Sequence, residues 1–156
     1  MDNAGQPHEV LLINFMSYLH AAYHQGGSFT ALIRDTYRRK PCSIESPWHL
    51  CIYADEITPG NVLAARTDRK SWMVYGSFLE YGQVTLQKEA AWATLLAKRT
   101  SFVSELPGGI SQMIALMLKH IFCNPVCNPT LGGVVLSHQG QDIRLFFKLG
   151  MFLMDG

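Results

Sequence analysis

The chain has 156 residues, which is enough for one domain with a substantial core and too few for two domains of ordinary size. Hydrophobic residues make up 48% of it and charged residues only 16%, against a typical share of about 25%, so a disordered chain is excluded. The formal net charge of +1 provides no global attraction to nucleic acid or to an anionic membrane. The low charge instead predicts apolar surface that faces a protein partner or a further part of the same domain.

The first 43 residues have the pattern of helices. Apolar residues at helical spacing predict a helix over 8–25, and two glycines at 26–27 end it. Ser28 is a plausible N-cap for a second helix that continues through Tyr37. We therefore expect residues 1–43 to form an N-terminal helical segment. A basic cluster, which is either a phosphate-binding surface or simply a solvated face, is formed by Arg34, Arg38, Arg39 and Lys40.

After Pro47 the residue pattern changes from one typical of helices to one typical of strands. An apolar run predicts a first strand over 48–54, and Asp55-Glu56 follows it before a turn-rich, polar segment. A second strand is predicted over 71–79. The stretch 86–99 is ambiguous, and we expect a short helical start followed by a strand through Val103.

The last third predicts a helix, a hairpin and a strand. Residues 110–122 form an amphipathic helix by their periodicity. Two short strands over 133–137 and 143–147 are joined by a polar turn, and a strongly apolar run over 149–154 precedes Asp155. We therefore expect a mixed α/β fold with a mostly antiparallel sheet and the helix 110–122 packed on one face.

The cysteines and the termini argue mainly against a secreted disulfide protein and a membrane-spanning one. Cys42, Cys51, Cys123 and Cys127 lack the spacing of a secreted disulfide framework, which favours an intracellular, reducing compartment. His120 precedes Cys123 by three residues, so a zinc site stays open as an alternative to ordinary buried or loop thiols. No signal peptide is visible, and each apolar stretch is shorter than the ~18 residues of a membrane-spanning helix. We therefore expect no transmembrane segment.

Two acidic residues stand at the ends of predicted strands. Three strands, a helix and a fourth strand resemble the opening of the ribonuclease H-like fold, in which the fourth strand lies beside the first. That fold would bring together Asp55 and Asp155. Carboxylate oxygens are the ligands that Mg²⁺ prefers, and two such ions stabilise phosphodiester cleavage, so both residues are candidate metal ligands and catalytic residues. The alternative for Asp55-Glu56 is that these residues only open a turn.

Several longer strings resemble transposon-encoded reading frames of unicellular algae. The similar strings lie at 53–61, 69–72, 75–80, 108–112 and 144–150, and the resemblance spans about 44–156. These frames look like DDE-type transposases, whose catalytic module is ribonuclease H-like. The resemblance implies that residues 44–156 are a partial ribonuclease H-like domain. It also implies that Asp55 and Asp155 match the first two catalytic acids and that Mg²⁺ is the cofactor.

One departure from that family changes the expected activity. A DDE module uses a third acid downstream, whereas this chain stops one residue after Asp155, so we expect a domain incomplete at its C-terminus. None of the other acids matches the third position, and Glu80 is expected to be a solvated charge at a strand end. The chain is therefore expected to be inactive alone in DNA strand cleavage and transfer, and to bind DNA weakly.

A second function of a different class stays open. The low charged fraction and the missing last elements favour use of the same scaffold as a non-catalytic accessory or interaction subunit, because an unpaired late strand edge invites a protein partner. A nucleophilic hydrolase is disfavoured because the sequence contains no Gly-x-Ser-x-Gly elbow. The sequence contains no Gly-rich phosphate loop either, because its glycine pairs are isolated and suit turns or caps.

Overall fold

The computed structural model describes residues 10–58 and 70–155, and the side chains within these ranges up to Met154. The five α-helices of this part are α1 (Phe15–Gln25), α2 (Gly27–Arg39), α3 (Gln83–Leu86), α4 (Thr100–Ser104) and α5 (Gly109–Phe122). The strands are β1 (Trp48–Ile57), β2 (Ser71–Phe78), β3 (Ala93–Arg99), β4 (Val134–His138), β5 (Gln141–Leu145) and β6 (Phe147–Asp155). Single 3-10 turns occupy Leu79–Tyr81 and Glu89–Ala91.

A four-stranded sheet with the order β3-β2-β1-β6 is the centre of the fold. The β1–β2 and β2–β3 pairs are antiparallel, and β6 runs parallel to β1. The expectation of a mixed α/β fold with a central sheet is thereby confirmed. Because successive side chains of a strand point to opposite faces, β1 buries one alternate set, Trp48, Leu50, Ile52 and Ala54.

Helices cover the face of the sheet to which these buried residues point. Phe15 of α1 lies 5.9 Å from Phe78 of β2 and 5.8 Å from Phe147 of β6, measured between ring centroids. Phe122 at the end of α5 lies 6.1 Å from Phe147. Tyr37 of α2 lies 6.4 Å from the indole of Trp48. The N-terminal helices and the sheet therefore share one hydrophobic core, and α5 packs on one face as predicted.

The hairpin β4–β5 forms a separate two-stranded sheet that contacts α1. Its turn consists of Gln139 and Gly140, which have φ of +51° and +73°. Positive φ at both central residues is the geometry that matches the twist of a two-residue hairpin, and glycine adopts it without strain.

Two boundaries differ most from the sequence-based prediction. Helix α1 begins at Phe15, where Asn14 caps it by accepting the backbone N–H of Ser17 at 3.1 Å. Residues 10–14 are consequently not helical, and the predicted residues 8–9 lie outside the described part. Strand β3 ends at Arg99, the partner of the first residue of β2, so a strand through Val103 is wrong. Without a neighbouring strand to pair with, the chain turns into α4.

Within the described ranges, no helix combines the length and apolar composition needed to cross a membrane. The longest of these helices, α5, has 14 residues.

Candidate functional site

The two acidic residues singled out in the sequence lie on neighbouring strands. The parallel register of β1 and β6 pairs Asp55 with Asp155 as Cα partners. Neighbouring strands are about 4.8 Å apart, so the two backbones are close at this level of the sheet. We predict that the two carboxylates approach within about 4–8 Å, the separation that a bridging metal needs, but the side chain of Asp155 lies outside the described residues.

Asp55 belongs to the strand itself and not to a turn after it. Strand β1 continues to Ile57 because β2 pairs with it as far as Ser71, and Asp55 faces Met73 in that register. The side chain of Asp55 is half-buried. Asp55 therefore has a strand backbone on each side, which fixes its position more firmly than a turn would.

Glu56 points to the opposite face and takes part in a structural bridge. Lys70 Nζ donates to Glu56 Oε2 at 2.8 Å, and the hydroxyl of Thr100 donates to Oε1 at 2.7 Å. These hydrogen bonds hold the pKa of the Glu56 carboxyl below its usual range, and the bond from Lys70 has the largest effect. The bridge ties the end of β1 to the start of β2 and to the residue after β3. Glu56 therefore has a structural role. Asp55 is the acid at this point of β1 that can bind a metal ion.

Glu80 is not the solvated charge that the sequence predicted. Its side chain is only 12% exposed. Its Oε2 accepts the backbone N–H of His49 at 2.9 Å, and its Oε1 lies 2.8 Å from Nδ1 of the same histidine. Because a carboxylate can only accept, Nδ1 of His49 is the protonated ring nitrogen in this pair. The prediction failed because the 3-10 turn after β2 folds Glu80 back against the start of β1.

Arg34, the first residue of the predicted basic cluster, is a structural link. Its Nε donates to the hydroxyl of Tyr23 at 3.1 Å, and its Nη2 donates to the carbonyl of His138 at 3.1 Å. The guanidinium also lies 5.7 Å from the centroid of the Tyr23 ring. Arg34 therefore joins both N-terminal helices to the hairpin.

The remaining residues of the basic cluster are exposed at the end of α2. Arg38 has a side chain 77% exposed and lies 3.4 Å from Asp35, while Nε of Arg39 donates to the Asp35 carbonyl. The carbonyl of Lys40 accepts the indole N–H of Trp48 at 2.8 Å, which places this end of α2 at the first residue of β1.

The basic cluster and the acidic pair are far apart. Asp55 is seven residues further along β1 than Trp48, a distance of about 23 Å along an extended strand. The structure therefore does not bring Arg38, Arg39 and Lys40 into one site with Asp55.

The cysteines and their neighbours do not form a metal centre in the described part of the chain. Among residues 10–58 and 70–154, no group of three or more His, Cys, Asp or Glu side chains is placed to hold a metal ion. Nε2 of His120 lies 3.3 Å from Nδ2 of Asn14, which reaches it from the start of α1. Burial raises the pKa of the Cys42 and Cys51 thiols, so both are protonated and unreactive at neutral pH.

A pocket lined by aromatic side chains was not predicted from the sequence. Its volume is about 600 Å³, and it is lined by Tyr53, Tyr75 and Trp92 together with Gln87, Lys88 and Glu89. Tyr53 is two residues from Asp55 on the same strand, so the pocket and Asp55 share the sheet face that points away from the core. The detectable signal was a tyrosine at a non-core position in each of two adjacent strands.

Comparison of the sequence with protein-family models found no match. Comparisons with curated proteins and with solved structures found none either. The residue geometry and the resemblance of the sequence strings are therefore the basis for a functional proposal.

Proposed function

We propose that the chain is a ribonuclease H-like fragment of a DDE-type transposase, in which Asp55 and Asp155 are two carboxylate ligands of Mg²⁺. The register that makes these residues Cα partners on β1 and β6 is the observation that supports it best. The sheet order β3-β2-β1-β6 is consistent with such a module, since three antiparallel strands are followed by a parallel strand beside the first.

The chemistry of the acids supports a metal function in preference to a structural one. Mg²⁺ is a hard cation that prefers carboxylate oxygens and commonly uses one or two of them, with waters in the remaining positions. Glu56, the neighbour of Asp55 in the sequence, is already engaged by Lys70 and Thr100. Among the described residues, Asp55 is thus the acid that remains for an ion at this end of β1, and Asp155 is its Cα partner on β6.

We further propose that this fragment does not cleave DNA by itself. In-line displacement at phosphorus uses two ions that clamp the attacking and leaving oxygens, and two carboxylates are too few to place both. The net charge of +1 and the distance between the basic cluster and Asp55 also make DNA binding weak.

The test is a titration of thermal stability with MgCl₂, starting in EDTA. A ligand that binds only the folded state stabilises it by about 2.7 kcal/mol at a hundredfold excess over Kd. We expect Mg²⁺ to stabilise the native chain and Asp35→Asn, in which an exposed helical carboxylate is lost, but not Asp55→Asn. Equal shifts in all three proteins would contradict the metal site.

Activity is measured separately with single-stranded and duplex DNA in Mg²⁺ and in Mn²⁺. We expect no cleavage. Cleavage that requires metal and disappears in Asp55→Asn would contradict the proposed inactivity while supporting the metal site.

A second candidate function is an interaction subunit, and the exposure of β6 favours it. Among the described strands β6 is at the end of the sheet order, so one of its edges faces away from β1. Phe147 at its start is buried, but five of its large apolar side chains are 39–47% exposed, namely Leu149, Met151, Phe152, Leu153 and Met154. The partner that fits such an edge is a polypeptide that adds an extended apolar strand to it.

Self-association gives a direct test of this surface. We expect the chain to associate in sedimentation velocity experiments as its concentration rises, and Leu153→Lys to abolish the association. Val126→Lys is the matched control, because Val126 is 93% exposed outside the sheet. Monomeric behaviour of the native chain at every concentration would argue against an interaction function for β6.

A further inference from the structure

The aromatic pocket beside Asp55 has the size and lining of a binding site. Its volume of about 600 Å³ falls within the range of about 300–1,000 Å³ that small-molecule sites occupy. Tyr53 and Tyr75 come from neighbouring strands, where the antiparallel register makes them Cα partners. Trp92 reaches the pocket from the residue before β3. Three aromatic rings from three separate segments therefore converge on one space.

The rings form two surfaces at a steep angle. The planes of Tyr53 and Tyr75 are nearly parallel, 16° apart, with centroids separated by 6.4 Å. The indole of Trp92 is inclined by 67° to Tyr53 at 6.5 Å. Its N–H donates to the carbonyl of Leu86 at 2.8 Å, which fixes the orientation of the ring. The π-faces are consequently positioned before any ligand arrives.

The polar residues at the rim define the chemistry of the ligand. Lys88 and Glu89 have opposite charges, so together they give no net attraction for a small ion. Gln87 offers both a donor and an acceptor, which suits the edge of a heterocyclic ring. A flat ring with hydrogen-bonding edges matches this combination better than a compact cation does, because the opposite charges of Lys88 and Glu89 leave no net attraction for a cation.

We propose that this pocket binds an unpaired nucleobase of single-stranded nucleic acid by stacking on its aromatic rings. Every base has a π-face, and stacking on protein aromatic side chains is a sequence-tolerant way to hold single strands. A base in the pocket places its own backbone near Asp55, since Tyr53 is only about 7 Å from Asp55 along β1. The proposal does not depend on a bound metal.

Binding is measured in EDTA at low salt by fluorescence anisotropy of a labelled oligothymidylate. We expect Tyr75→Leu to bind about tenfold more weakly than the native chain, and Tyr75→Phe, which keeps the ring, to bind normally. Tyr18→Leu is the matched control, because Tyr18 is a half-buried tyrosine that packs against Phe29 on the helical side of the sheet. Equal affinities of Tyr75→Leu and Tyr18→Leu would overturn the proposal.

Changes in the oligonucleotide test the same idea without any protein variant. An abasic oligonucleotide of equal length should bind about tenfold more weakly, and duplex DNA should compete poorly, because in both cases no base is free to stack. Equal binding of the abasic strand would reduce the interaction to phosphate contacts and overturn the proposal. Competition by tetramethylammonium would overturn it in favour of a cation site. Oligouridylate and oligodeoxyuridylate differ only in the sugar, so tighter binding of one of them supports base stacking and identifies the strand as RNA or DNA.

Discussion

Replacing Asp55 by asparagine should stabilise the protein in the absence of divalent metal, whereas most substitutions destabilise a fold. The reason is the register that makes Asp55 and Asp155 Cα partners on adjacent strands. Like charges at directly opposed positions of a sheet repel each other. Asparagine keeps the shape of aspartate and removes one of the two charges.

The expected magnitude follows from the spacing of the strands. Two unit charges about 5 Å apart repel by about 0.8 kcal/mol in water and by about 3 kcal/mol at an effective dielectric constant of about 20. Asp55 is half-buried, so its surroundings lie between these limits. Opposed pairs in sheets typically contribute roughly 0.2–1 kcal/mol, and we therefore expect a gain of about 1 kcal/mol. For a chain of this length, that corresponds to a rise in Tm of about 2–4 °C.

The assay is thermal unfolding in EDTA at low ionic strength, repeated at high salt. Asp35→Asn is the control, since it makes the same change in net charge on an exposed helical residue that faces Arg38. We expect a higher Tm for Asp55→Asn alone, and a smaller gain when salt screens the repulsion. A neutral or lower Tm for Asp55→Asn at low salt would show that the two carboxylates do not interact, and the metal-site argument would lose its basis.

Two further predictions concern the ion pairs that Glu80 and Glu56 form with β1 and with the residue before β2. Glu80→Ala deletes the largely buried carboxylate that makes two hydrogen bonds with His49. We expect the unfolding free energy, measured by urea denaturation, to fall by about 2–3 kcal/mol. A loss below about 0.5 kcal/mol would show that the pair contributes little to stability. Because its bonds to Lys70 and Thr100 lower the pKa of Glu56, that carboxylate stabilises the fold above its ordinary pKa of 4.5, and the stabilisation disappears as the pH falls through the lowered value. The difference in unfolding free energy between the native chain and Glu56→Gln should therefore shrink on acidification, and a difference independent of pH would contradict this assignment.

The parts of the fold with strong periodicity were predictable from sequence. Helix α5 begins within one residue of its predicted start. The agreement is close because its apolar face repeats regularly over the whole length. The core strand β1 was recognised from its continuous apolar run, which is typical of a strand that has neighbouring strands on both sides. Its end was predicted too early, since Asp55 and Glu56 look like turn residues until β2 pairs with them.

The parts that depend on distant contacts were not predictable. The stretch before Val103 has no single periodicity. Its strand ends at Arg99, which pairs with the first residue of β2, and only the tertiary pairing determines this end. Glu80 looked exposed because its partner, His49, is 31 residues away. The aromatic pocket was missed for the same reason, since its rings come from three segments.

The parallel pairing of β1 with β6 also determines the order in which the chain can fold. Its partners are about one hundred residues apart, so this ladder closes a far longer loop than the β1–β2 pair does. Loop closure of that length costs entropy before any contact compensates for it, and such non-local pairs form late. During synthesis and refolding, the apolar strand β6 therefore stays unprotected until the rest of the sheet is in place, and amide protons of this ladder become resistant to exchange last.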